Sequence, residues 1–168
     1  SGDLEPFRLI VLPYPLMLSR SAAQGLEAYV RGGGHLVAEA RPGWNDERGF
    51  AAQTIPGMGL AEVFAAREDA VRMGEVVTMR TTASDHPLLR GLSSGTELPG
   101  AWFEETLIPD RGAGAVVLAV NDENLPCATA SSHGDGEAVL IGSFLGLAYH
   151  DDPSSSNRRF VLNMLEWA

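Results

Sequence analysis

The chain has 168 residues, 45% of them apolar and 20% charged, with a formal net charge of −10. This composition fits one globular unit that buries a core without metals, and it excludes a disordered chain. The acidity argues against broad contact with nucleic acid or anionic membrane, and the lone Cys127 excludes an internal disulfide and favours a reducing compartment, read here as the cytoplasm.

The start, SGDLEP, lacks a Met, and the end, NMLEWA, stops inside a helical pattern; both read as cuts in a longer protein, with Ser1-Gly2 read as a cloning scar. No apolar run approaches the roughly 18 residues that a membrane span needs, and no signal peptide is visible. FRLIVLPYP, residues 7–15, is a continuous apolar run of strand length, the pattern of a strand covered on both faces. Ser19 or Ser21 caps the next helix, and Ser21 with Gln24 fits a capping box. Ala22, Leu26, Tyr29 and Val30 recur at helical spacing, and Gly32-Gly33-Gly34 ends the helix. HLVAEA, residues 35–40, is a second strand. Strand, helix and strand form a βαβ unit, so the two strands are expected to be parallel.

An irregular stretch follows from Arg41 to about Gly59, carrying Trp44 and Phe50. Connections of this length usually serve a function or an interface. Leu60 to Arg67 reads as a short helix. From Glu75 the pattern becomes strands: EVVTMRTT, AWFEETLIP, AVVLAV, CATAS and EAVLIGSF. The last two flank SHGDG, a hairpin turn at residues 132–136. Asp85-His86-Pro87 reads as a turn before a short helix. A Ser-rich cap at 154–157 opens a final helix with Phe160, Val161, Met164, Leu165 and Trp167 on its apolar side. The expected fold is a single α/β domain over residues 1–168, its mixed sheet antiparallel toward the C-terminal part.

Few residues qualify for chemistry. The turn at Arg41-Pro42-Gly43 follows a buried strand, where open α/β domains hold functional groups. Arginine is no nucleophile, and proline offers no amide N–H for an oxyanion hole. Arg41 can instead bind an anion or a partner carboxylate, or serve an interface. Cys127 sits six residues from His133 along an extended chain, too far for a local pair, and reads as an inert buried thiol. His150-Asp151-Asp152 lacks further ligands at metal spacing and reads as a polar loop. Glu104 and Glu105 are strand neighbours pointing to opposite faces. One is expected inside with a hydrogen-bond partner or at an interface, the other solvated, so they are no catalytic pair.

Two stretches carry a family resemblance. GLEAYVRGGGHLVAEARPG resembles the segment of class I glutamine amidotransferase-like domains that enters the nucleophile elbow, with Arg41 and Pro42 at the positions where a Cys is expected. AWFEETLIP, AVVLAV and NLPCATASSHGDGEAVLIGSF resemble the trimerisation domain of glycoside hydrolase family 42 β-galactosidases, through Trp102, Glu104 or Glu105, Pro126, Ala128, Thr129, Gly134, Gly136 and Gly142. DLEPFRLIVLPYPLMLS and PGMGLAEVFAARED are similar to that family's opening strand and short helix.

The resemblance implies a flavodoxin-like three-layer domain of amidotransferase-like type that lacks the catalytic residues, and possibly the first βα unit. It also implies an N-terminal (β/α)8 catalytic barrel in the parent chain, which hydrolyses terminal β-galactosides, and a homotrimer. No catalytic residue, cofactor or metal is expected in this chain. The interface or ligand candidates are Arg41, Trp44, Asp46, Phe50 and His150. A rival reading is an amidotransferase-like (ThuA-like) module in which Arg41, Trp44, Asp46 and His150 converge on a sugar or other small ligand. A third is an independent enzyme using Cys127 or His150.

Overall fold

Residues 4–153 and 155–168 are described by a computed structural model, so Ser1, Gly2, Asp3 and the expected cap residue Ser154 lie outside the described residues. The elements run β1 (Leu9–Leu12), α1 (Arg20–Arg31), β2 (His35–Ala38), α2 (Leu60–Val63), β3 (Ala66–Thr81), β4 (Glu97–Pro109), β5 (Val116–Val120), β6 (Pro126–His133), β7 (Gly136–Ile141), α3 (Leu145–Asp151) and α4 (Ser155–Trp167). The strands form one mixed sheet in the order β1-β2-β7-β6-β5-β3-β4. β1, β2 and β7 are parallel to one another, and the remaining pairings are antiparallel.

Period-two alternation sorts the core onto two faces. Leu36 and Ala38 of β2, with Ala138 and Leu140 of β7, pack under α1 and α2 against Ala23, Leu26, Val30, Leu60 and Val63. Val37, Val139 and Ile141 point the other way, into a core shared with Leu88, Leu118, Phe160 and Met164. Ser19, not Ser21, caps α1: its Oγ accepts the Ala22 N–H at 3.1 Å. Ala23 rather than Ala22 joins the buried stripe, and Tyr29 is held by its hydroxyl, which donates to the Phe7 carbonyl at 3.0 Å. Gly33 takes the left-handed conformation at φ 102 that lets the chain reverse into β2.

Several expectations need correction. β1 is shorter than the apolar run, and it lies at the sheet edge with Val11 exposed, not covered on both faces. The helix at Leu60 stops at Val63, because Ala65 turns left-handed at φ 44 and β3 starts at Ala66. His150 and Asp151 belong to α3, a short helix, not to a loop. Leu165 faces solvent, while Phe160 and Met164 hold α4 to the sheet.

β3 and β4 form a long ribbon, paired from Ala66↔Pro109 to Arg80↔Glu97. β3 meets β5 only at Arg80↔Val120 and Thr81↔Ala119, so the edge from Arg67 to Val76 pairs with no other strand among the described residues. The far edge of β4 is tied to the chain just after β7: the Glu105 N–H donates to the Gly142 carbonyl (2.8 Å) and the Phe144 N–H to the Ala101 carbonyl (3.3 Å). The ribbon therefore crosses the C-terminal end of β7.

Two glycines separate close packing from open space. A Cβ on Gly142 would lie 2.4 Å from the Glu105 carbonyl oxygen and 2.9 Å from that of Cys127, whereas a Cβ on Gly25 in α1 meets nothing within 4 Å. Gly142→Ala is expected to destabilise the domain by about 1–3 kcal/mol through backbone displacement. Gly25→Ala is expected to stabilise it by about 0.5–1 kcal/mol through helix propensity. Urea unfolding midpoints that move the same way for both would contradict this packing.

Candidate functional site

β2 delivers Glu39, Ala40 and Arg41 to the sheet end crossed by the ribbon. Arg41 adopts φ 60, a left-handed conformation that is costly for a residue bearing a Cβ. The strand thus ends in a strained turn, the geometry in which other α/β domains expose a nucleophile. Here the side chain is occupied. Its guanidinium grips Glu68 of β3 through Nε to Oε2 (2.7 Å) and Nη2 to Oε1 (3.2 Å), and its Cζ lies 3.8 Å from the Trp44 ring centroid. A fork-to-carboxylate pair covered by an indole is the arrangement for which arginine, unlike lysine, is shaped.

Two more carboxyls are buried at this sheet end, and one of them meets the turn. Glu105 of β4 is fully buried; its Oε2 accepts the Arg41 N–H at 3.2 Å, and its carboxyl faces that of Glu68. Burial, reinforced by the charge of Glu68, pushes Glu105 up to about 8. Its Oε1 accepts no hydrogen bond from the described residues. A neutral Glu105 carries one O–H donor, and the carboxyl it faces is that of Glu68. Glu39 is also buried, and burial pushes it up to about 7 even though its Oε1 accepts the Gly146 N–H at 2.6 Å. Glu104 faces the other way, partly buried, and accepts from Asn121 Nδ2 at 2.7 Å. The strand-neighbour expectation thus holds for the buried member, while the other is half-buried and bonded, not freely solvated.

The irregular stretch 41–59 holds no helix or strand, and its hydrogen bonds fold it into a hook. The Gly43 N–H bonds to Pro15, Asn45 exchanges bonds with Leu16 and Leu18, and the Ala52 N–H returns to the Trp44 carbonyl. Asp46 closes the tip: its Oδ1 accepts the N–H groups of Arg48 and Phe50, both at 2.9 Å, and Phe50 projects from the turn 68% exposed. Tyr14 and Met17, each 61% exposed, extend the apolar surface beside the hook, and Tyr14 packs its ring 4.9 Å from Phe144. Arg41 and Trp44 are in contact, whereas no hydrogen bond or ion pair among the described residues joins Asp46 or His150 to Arg41. His150 is exposed on α3. Cys127 is buried, its thiol pushed up by burial, and His133 lies instead 3.9 Å from Glu27. Sequence reasoning missed Glu39 and Glu68. Glu39 had a usable signal, an acid inside the buried run HLVAEA. Glu68 had none, since it is brought in by a strand that burial does not mark.

The raised carboxyls predict a direction for the pH dependence of stability. Glu39 and Glu105 hold protons in the folded state up to about pH 7 and 8, while ordinary carboxyls release theirs near 4.5. The folded state binds more protons across that window, so stability falls as pH rises through it and levels off above. His86 acts oppositely below about 6.5, because burial lowers its affinity for protons. The melting temperature is therefore expected to be higher at pH 6.5 than at 8.5, with Glu105→Gln removing roughly two thirds of the difference, since the lower value of Glu39 leaves it less to lose in that window. Identical profiles for variant and wild type would refute the buried acid.

The profile of the β-galactosidase trimerisation domain family matches residues 1–157. No curated protein matches the chain. Among solved structures, β-galactosidase from Bacillus circulans sp. alkalophilus aligns with TM-score 0.76 at 17% identity, covering 98% of this chain and 23% of that one. The cold-adapted β-galactosidase from Rahnella sp. R3 gives TM-score 0.72 at 19% identity, over 89% of this chain and 23% of its own. A cytoplasmic protein from Salmonella typhimurium aligns with TM-score 0.69 at 15% identity, over 99% and 73% respectively. At these identities the structures establish a shared fold, and the chain spans less than a quarter of the length of the two β-galactosidases. The profile match over nearly the whole sequence establishes more: this chain belongs to the β-galactosidase trimerisation domain family.

Proposed function

We propose that this chain is the non-catalytic accessory domain through which a β-galactosidase-type glycoside hydrolase assembles. The observation that carries the reading is the match of residues 1–157 to the trimerisation family, together with an elbow whose socket holds Arg41 locked to Glu68. A guanidinium that stays protonated and is already paired offers no nucleophile, and Pro42 offers no oxyanion donor. In this reading residues 1–168 are one domain of a longer cytoplasmic protein, following a (β/α)8 barrel that carries the catalytic carboxylates, and the parent is a homotrimer acting on terminal β-galactosides. The fold is of the flavodoxin-like, amidotransferase-like type. Three parallel strands with the elbow after the second support that assignment. The exposed edge of β1 is where a further βα unit would add.

Within the domain, the hook that presents Phe50 beside Tyr14 and Met17 is the surface offered to the barrel or to a neighbouring subunit. Arg41 and Trp44 form its base, Asp46 shapes its tip, and His150 on α3 adds a polar group. Exposed aromatics on a rigid, hydrogen-bonded support are the usual anchors of such contacts. The rival reading, a small-ligand site at Arg41, gains no support from a guanidinium already covered by Trp44 and paired with Glu68. Light scattering of the intact parent is expected to give a trimer. A monomer with full galactoside-hydrolysing activity would overturn the reading.

A further inference from the structure

At the end of the sheet opposite the Arg41 turn, side chains from four segments meet around one indole. Trp167, in the last turn of α4, donates its Nε1–H to Oε2 of Glu137 on β7 at 2.6 Å. His35 of β2 sets its ring edge-on to the indole with centroids 4.3 Å apart, and the ring of His86 lies 5.8 Å away. Trp167 is the anchor of this turn, because Leu165 and Glu166 are exposed and Phe160 and Met164 hold the helix further back. His86 precedes the single 3-10 turn Pro87–Leu89 and caps it, its Nδ1 accepting the Leu88 N–H at 3.3 Å. An Nδ1 that accepts leaves the ring proton on Nε2, and that atom is buried with no hydrogen-bond partner among the described residues.

The two histidines answer a second proton differently, since an imidazolium is a donor at both nitrogens. His35 Nε2 lies 4.0 Å from Glu137 Oε2, and a carboxylate has lone pairs for that ring as well as for the indole. At His86 the proton turns the capping Nδ1 into a donor facing the Leu88 N–H, and both ring N–H groups are then without an acceptor. The surroundings give no relief. Asp85 on the same loop is exposed, Trp167 from α4 is a donor only, and Arg90 and Arg159 beyond the 3-10 turn add positive charge. Glu137 from β7 favours the charged ring, but burial outweighs it and lowers the affinity of His86 for protons. Leu88 and Leu89 stay buried in the core, and Asn163 Nδ2 holds the carbonyls of Leu88 (2.8 Å) and Arg90 (2.9 Å). The imidazole and its cap can therefore leave without the turn itself.

We infer that His86 is an acid-operated latch on the last turn of α4: once protonated, its imidazole leaves the cluster, and the indole of Trp167, losing one of its two ring neighbours, comes free of Glu137. Closed, the cluster binds fewer protons than it does open, where the ring titrates near its ordinary 6.5. The latch is thus shut above that pH and opens as the pH falls through it, the open population rising at most about tenfold per pH unit for one proton.

Both hydrophobic cores lie within the 168-residue chain, which serves for the test. Exchange of the Trp167 indole N–H with water, identified through Trp167→Phe and corrected for the intrinsic rate, is followed by NMR from about pH 7.5 to about pH 5. Protection is expected to hold down to about pH 6.5 and then to fall by up to about tenfold per unit, while core amides such as that of Val139 keep theirs. His86→Asn retains a capping acceptor for the Leu88 N–H and removes the titration, so its indole is expected to stay protected throughout. His35→Gln is expected to leave the fall in place. A wild-type indole whose protection does not change would overturn the latch, as would an unaltered fall in His86→Asn or the loss of the fall in His35→Gln. The His86 ring gives a second reading that needs no variant: its Nδ1 must gain a proton over the range in which the indole is released. A ring that titrates while the Trp167 bond stays intact overturns the latch as well.

Discussion

The grip of Arg41 on Glu68 is the contact on which the rest of the molecule depends. It joins two parts that the sheet alone connects weakly. The parallel layer of β1, β2 and β7 ends at Arg41, while the ribbon begins beside Glu68 and meets β5 through only two residue pairs. Beyond the guanidinium, the ribbon is held by the Glu105–Gly142 and Phe144–Ala101 backbone bonds, by the ring contact of Phe103 with Phe144, 5.3 Å between centroids, and by Val77, Met79, Leu98, Ala66 and Leu107 buried in the two cores. Removing one partner from a largely buried ion pair typically costs about 3–5 kcal/mol, because the other charge is stranded. Here the stranded charge would be Glu68, already facing the buried Glu105. The knot tolerates two carboxyls and one cation because burial keeps Glu105 largely protonated near pH 7.

The same contact explains how a reactive geometry persists without a reaction. A left-handed residue at the end of a buried strand is expensive, on the order of 1–3 kcal/mol, and is retained when its surroundings over-determine it. At Arg41 they do: the backbone N–H is bonded to Glu105, the side chain to Glu68, and the indole of Trp44 covers the guanidinium. A nucleophile needs a free, polarisable atom facing a cavity, and this turn presents a side chain with its charge already met. The strain serves position, placing Trp44 and the hook at the sheet end.

The parts of the fold legible in the sequence are those that burial stamps with a period. β2, α1, the β6–β7 hairpin and the apolar side of α4 carry such marks, and their types hold. The N-terminal half of β3 does not, since Arg67 to Val76 is mostly exposed, with only Glu68 and Val71 partly covered, and is kept extended by pairing with residues some thirty positions away on β4. α3 escapes for a related reason: Leu145 is its one buried residue among the described residues, too few for a pattern. At the site, Arg41 and Trp44 are legible because one local turn holds them both. The acids that answer Arg41 come from positions 68 and 105, and no local pattern links them.

Symmetry limits how such a domain can assemble. A threefold ring is heterologous: each copy offers one surface and receives with another, and the rotation must close. In the proposed threefold assembly the hook supplies one of those surfaces. The hook with Phe50, Tyr14 and Met17 is built on a hydrogen-bonded turn, and the ribbon beside Glu68 carries the strained Trp102. They are mechanically related through Arg41, whose backbone leads into the hook and whose side chain holds the ribbon. Loosening that one ion pair would therefore disturb the relative placement of hook and ribbon, which is why an arginine locked in place, rather than a reactive group, suits this elbow.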